Sequence, residues 1–156
     1  MLERRYLSID GLRWSFLEQG KTTSGHPTLV LLHGLMGCAE TFVPLINSLG
    51  ADLHIVALDL PGAGQSERRS DIDASLLSTA EQVTVVLQTL GIQKPVVVGH
   101  SHGGAVALSM AARHRNSLRW DGCGRRATFI HGVESHRQSP THRAPGHGAA
   151  SRQSFG

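Results

Sequence analysis

The chain has 156 residues, 40% of them hydrophobic, with 15 Lys/Arg against 12 Asp/Glu, which fits one soluble domain and no more. No apolar run nears the ~20 residues that a membrane helix needs, and the charged start Met1-Leu2-Glu3-Arg4-Arg5-Tyr6 has no apolar stretch behind it, so no signal peptide is read. A cytoplasmic protein without a membrane partner is expected.

Cys38 and Cys123 have neither a disulfide framework nor metal-ligand spacing, and no metal or cofactor is expected. The formal net charge of +3 hides an asymmetry. Residues 1–114 carry 8 Lys/Arg and 10 Asp/Glu, whereas residues 115–156 carry 7 Arg and 2 acids. A basic tail can mark nucleic-acid binding, but this one has no recognisable binding module, and no nucleic-acid partner is expected.

Arg4–Ile9 and Leu12–Glu18 read as two strands joined by Asp10-Gly11, a dipeptide that favours a two-residue hairpin turn. Thr28-Leu29-Val30-Leu31-Leu32 is a continuous apolar run, the pattern of a parallel strand covered on both faces. A glycine-bearing turn, His33 to Gly37, follows. Phe42, Leu45, Ile46 and Leu49 then fall on one helical face, with Pro44 early enough to be tolerated and Gly50 placed to close the helix.

Leu53–Leu58 is a second buried strand, ending at Asp59, and Pro61-Gly62-Ala63-Gly64 is a turn. Leu76, Ala80, Val83, Leu87 and Leu90 recur at helical spacing, capped by Asp73 or by a Ser78–Glu81 capping box. Val96-Val97-Val98 is a third buried strand, and a small-residue helix runs from about His102 to His114. Strand and helix thus alternate after an opening hairpin. That order predicts a three-layer α/β/α fold around a mostly parallel sheet.

The pattern stops at Arg115. The last 42 residues hold only Leu118, Ile130 and Val133 among Leu, Ile and Val, too few to offset the entropy of ordering the chain. Two regions are expected: residues 1–114 as a domain, and residues 115–156 as a loose basic tail without strands.

Gly99-His100-Ser101-His102-Gly103 fits G-x-S-x-G with a strand before it and a helix after it. Such a bend forces the central serine out with its hydroxyl exposed, and a β-carbon at Gly99 or Gly103 would collide with the neighbouring strand or helix. The His102 N–H then lies at a helix N-terminus, where partial positive charge favours an oxyanion. Two further motifs accompany it: Leu31-Leu32-His33-Gly34-Leu35-Met36-Gly37, and Asp59-Leu60-Pro61-Gly62-Ala63-Gly64-Gln65-Ser66.

Together these three motifs resemble the α/β-hydrolase superfamily, over about residues 4 to 114 and in the family's order. The resemblance implies that Ser101 is the nucleophile and that the backbone N–H groups of Leu35 and His102 form the oxyanion hole. His33, Gly34, Gly99 and Gly103 are implied as supporting residues. His33 is expected to tie loops together, His100 and His102 to serve as pocket wall, and Asp59 to organise its turn. The substrate would be a small molecule, a carboxylic ester or related acyl compound.

A serine needs a base, and the base an acid. In the family both follow strands beyond the elbow helix, in the order Ser, Asp/Glu, His. The tail offers Asp121 and Glu134, and His131, His136, His142 and His147, none after a strand-like run, so the triad acid and His are unassigned. A truncated hydrolase, frameshifted near Arg113–Asn116, is the expectation. Without a later strand the Val96–Val98 edge would be open to self-association. The alternatives are an inactive fragment, a strand-pairing partner of another chain, or a lyase or cofactor-free peroxidase on the same scaffold.

Overall fold

The computed structural model describes residues 1–21 and 26–113, together with the backbone of residues 128–130. Leu2–Ile9 (β1) and Leu12–Gln19 (β2) pair antiparallel, with Ile9 opposite Leu12. Asp10 and Gly11 lie at φ 50° and 74°, the two left-handed residues that a type I′ hairpin needs.

Leu29–Leu32 (β3), Ile55–Asp59 (β4) and Val96–His100 (β5) form the parallel centre of the sheet. β2 joins antiparallel to β4, with Ser15 opposite Asp59. Thr128–Ile130 (β6) adds a parallel strand outside β5, and the order across the sheet is β1-β2-β4-β3-β5-β6.

Alternate residues of the central strands enter two different cores. Val30, Leu32, Val56, Leu58 and Val97 pack with Trp14 beneath Leu76–Thr89 (α2) and His102–Arg113 (α3). Leu31, Ile55, Ala57 and Val98 pack on the opposite face with Phe42 and Ile46. Those two come from a 3₁₀ turn, Ala39–Phe42, and from Val43–Ser48 (α1). Both faces are covered, as continuous apolar strands require, and the three-layer expectation holds.

Several expectations need correction. The single helix predicted from Phe42 divides into the 3₁₀ turn and the six-residue α1, with proline in its first turn and Gly50 at φ 83° beyond its end. The α2 cap is neither Asp73 nor Ser78 but Ser75, whose hydroxyl accepts from the Ser78 N–H. Asp73 instead accepts from the Ser75 N–H at 2.8 Å, an Asx-type turn that sets the cap one step later.

The more important correction concerns the far side of β5. The composition after α3 predicts no further strand and an open Val96–Val98 edge. In the structure Val98, Gly99 and His100 pair with Thr128, Phe129 and Ile130, so the end of β5 nearest the elbow is covered. Thr-Phe-Ile is rich in β-favouring side chains, but three residues are too few to show a period. The rest of the predicted tail lies outside the described residues.

The chain steps from β3 to β4 on one side, then returns to place β5 on the other side of β3. This reversal opens a crevice beyond the carboxyl ends of β3 and β5, where sheets of this kind bind ligands. The segments leaving those two strands are His33-Gly34 and Ser101. No described helix is long and apolar enough to cross a membrane.

Candidate active site

Ser101 occupies the bend between β5 and α3 at φ 50°, a left-handed conformation that costs a non-glycine residue roughly 1–2 kcal/mol. Its carbonyl accepts the first bond of the helix, from the Ala105 N–H at 3.1 Å, and the residue is exposed. Two glycines make the bend possible by close approach. A β-carbon on Gly99 would fall 2.3 Å from the Gly103 carbonyl oxygen, and one on Gly103 would fall 2.2 Å from that of Leu32. Strand β5, helix α3 and the end of β3 therefore meet with no room for a methyl group, and this contact holds Ser101 in its strained geometry.

The loop after β3 closes over the bend. Gly37 N–H donates to the Gly34 carbonyl at 3.0 Å, with Met36 at φ 62°, forming a tight turn that leaves Leu35 and Met36 exposed. A β-carbon on Gly34 would lie 2.7 Å from His100 Nδ1 and 3.2 Å from Ser101 Cβ, so only glycine lets this loop rest against the elbow. On the other side, His102, Gly103 and Gly104 are the residues of α3 that precede its first intrahelical acceptor bond. Their N–H groups carry the partial positive charge of the helix end.

His33 is 2% exposed. Its Nδ1–H donates to the Gly34 carbonyl at 2.8 Å, and its Nε2 accepts from the Leu60 N–H at 3.0 Å. Burial pushes its pKa below the ordinary imidazole value, against the opposing pull of the Gly34 carbonyl and Asp59. The ring is neutral and spans the loops after β3 and β4.

Asp59, at the end of β4, is fully buried. One carboxylate oxygen accepts from the Ala39 N–H at 2.7 Å; the other accepts from Gln65 N–H at 3.0 Å and from Arg4 at 2.8 Å. Its carbonyl accepts from Ser66 Oγ at 2.7 Å, and the same hydroxyl accepts from Ser15 N–H. Every oxygen of Asp59 thus has a structural partner. Arg4 also reaches Ser15 and Glu40; its bond to Asp59 has no sequence signal because it spans 55 positions.

Ser101, His102, Leu35, Gly34, His33, Gly99 and Gly103 gather at the carboxyl end of the sheet. Beside them is a cleft of about 310 Å³, lined by the 34–37 and 60–64 turns with Arg68, Ala74, Thr79 and His102. Arg68 is a cleft residue that the motif reading missed, since it lies just beyond the turn motif. Asp121, Glu134, His131, His136, His142 and His147 lie outside the described residues. Among the described residues no group of three or more His, Cys, Asp or Glu could hold a metal ion.

Residues 27–119 match the family model described as alpha/beta hydrolase fold. The uncharacterized hydrolase YugF of Bacillus subtilis is 35% identical over 107 residues, covering 69% of this chain and 38% of that protein. The magnesium-chelatase 30 kDa subunit of Rhodobacter capsulatus is 35% identical over 108 residues, covering 69% of this chain and 36% of that protein. The crystal structure of a membrane phospholipase A superimposes with a TM-score of 0.70 at 31% identity, covering 75% of this chain and 37% of that one. The chain therefore spans well under half the length of these relatives, and what it shares with them is the segment built around the elbow. On the family match, the order of its strands and the geometry of its elbow, the chain belongs to the alpha/beta hydrolase fold family.

Proposed function

We propose that this segment is the nucleophile-bearing part of a serine hydrolase acting on carboxylic esters or related acyl compounds. Ser101 Oγ attacks the acyl carbon, and the carbonyl oxygen takes up negative charge beside the backbone N–H groups of Leu35 and His102. The leaving alcohol departs with a proton, and water then releases the acid from the acyl-serine. The observation that carries the reading is Ser101 at φ 50° between two glycines that admit no β-carbon. A residue is held in that conformation only where its surroundings over-determine it, and such strain clusters at active sites.

The reading takes the proton acceptor from outside the described residues, because the described histidines are placed otherwise; His26 lies with Gly20, Lys21 and Leu53, away from the elbow. His33 has both ring nitrogens engaged by backbone. His54 bonds Thr28 and Glu18 at the opposite end of the sheet. His100 and His102 adjoin Ser101 in the chain, so their side chains diverge from its hydroxyl.

A second reading, an inactive product of a frameshift or truncation, draws on the change of composition after Arg115 and on those engaged histidines. Fluorophosphonate labelling of the full chain separates the two. A covalent adduct at Ser101, absent in Ser101→Ala, is the outcome expected for a competent nucleophile. Silence from a sample shown to be folded would favour the inactive product. A labelled protein that transforms substrate without consuming water would instead move the chemistry toward the lyase alternative.

A further inference from the structure

The cleft beside the elbow has a distinctive charge content. Among the described residues, the ionisable side chains that line it are His33, Arg68 and His102, and no carboxylate does. His33 is held neutral by burial. The nearest buried acid, Asp59, lies behind Gly64, where a β-carbon would sit 2.1 Å from its Oδ1, and it shares Arg4 with Glu40. The formal charge on the lining side chains is therefore positive, from Arg68, next to the N-terminus of α3.

The Arg68 geometry sharpens this. Nε and Nη2 both donate to the Gly62 carbonyl, at 3.1 and 2.9 Å. These bonds fix the plane of the guanidinium on the rim of the Pro61–Gly64 turn and occupy its side edge. The end edge, formed by Nη1 and the second N–H of Nη2, presents two parallel donors with no partner among the described residues. A fork of this kind matches a carboxylate bidentately. The remaining lining is largely apolar, from Leu35, Met36, Leu60, Pro61 and Ala74, and suits a short hydrocarbon spacer.

We propose that Arg68 selects acyl substrates bearing a free carboxylate, such as half-esters of short dicarboxylic acids, and that His102 flanks the same anion. This names a substrate class for the hydrolase reading and rests on it, but binding in the cleft is measurable without turnover.

The test is titration of the full chain by NMR with monomethyl succinate, with neutral dimethyl succinate, and with methyl phosphate. The half-ester is expected to bind at least fivefold more tightly than the diester and to shift the His102 ring and the Gly34–Gly37 amides. Arg68→Gln should reduce that preference to less than twofold, with Arg68→Lys retaining part of it and the amide spectra confirming that both variants fold. Raising ionic strength should weaken the half-ester alone. Equal binding of half-ester and diester, no binding of either, or an unchanged preference in Arg68→Gln would overturn the proposal. Methyl phosphate binding as tightly as the half-ester would overturn its assignment to carboxylates. Fluorophosphonate labelling on the same samples reports the nucleophile separately, so an active Ser101 with no anion preference is distinguishable from a bound anion beside an inert serine.

Discussion

Ser101 holds a conformation that its own side chain disfavours. Replacing it with glycine removes the β-carbon that makes φ 50° costly, so Ser101→Gly is expected to stabilise the fold by about 1 kcal/mol while abolishing fluorophosphonate labelling. Ser101→Ala should abolish labelling with no such gain. Thermal denaturation of the three proteins checks this, and equal stability of all three would mean that the elbow stores no strain. His33 offers a pH test. Its folded-state pKa is lowered by burial, so the unfolded chain binds the proton more readily. The stability it contributes is fully present above the ordinary imidazole value and is lost as pH falls below it toward the folded value. Between about pH 7 and pH 5 the native protein should therefore lose stability more steeply than His33→Gln, measured by urea midpoint at each pH.

At the scale of elements, two glycines of different kinds predict different costs. Gly103 sits where a β-carbon would meet the Leu32 carbonyl at 2.2 Å, backbone against backbone, so neither side can yield without separating α3 from β3. Gly103→Ala is expected to cost at least about 3 kcal/mol or to prevent folding, on the scale of severe overpacking. Gly50 lies at φ 83° with nothing within 4 Å, and Gly50→Ala should cost only about 1 kcal/mol, from backbone strain alone. Chemical denaturation of both variants decides it. Asp59 binds β4, the 3₁₀ turn, the turn after β4 and Arg4 of the hairpin. Asp59→Ala removes one of the two carboxylates paired with Arg4 and leaves two backbone donors without their acceptor, and about 3 kcal/mol of destabilisation is expected. The motif Asp59 to Ser66 was legible as a turn, but its partner was not, because the hairpin that supplies Arg4 is brought to it only by the pairing of β2 with β4.

At the scale of the whole molecule, the sheet formed by the described residues is bounded by β1 and β6. The β6 pairing covers Val98–His100; among the described residues Val96 and Val97 pair with β3 alone. Deleting residues 114–156 removes that cover and exposes an apolar parallel strand. The shortened chain is expected to associate in a concentration-dependent way in sedimentation experiments, where the full chain does so less. Equal behaviour of the two would show that β6 does not protect this edge.

Local pattern determined much of this protein. The hairpin at Asp10-Gly11, the three apolar strands, the α2 face and the G-x-S-x-G bend each depend on residues near one another in sequence, and each was readable from spacing and side-chain type. The family followed from three such motifs in order. Only the tertiary structure decided that Gly34 rests on His100 and Ser101, which backbone groups the two ring nitrogens of His33 engage, that Arg4 pairs with Asp59, and that Thr128–Ile130 lies beside β5. These contacts join segments separated by up to dozens of residues, and they form because the strand order β4-β3-β5 brings strand ends together at one place. A one-dimensional pattern records which residues can pair. The sheet's topology selects which of them do.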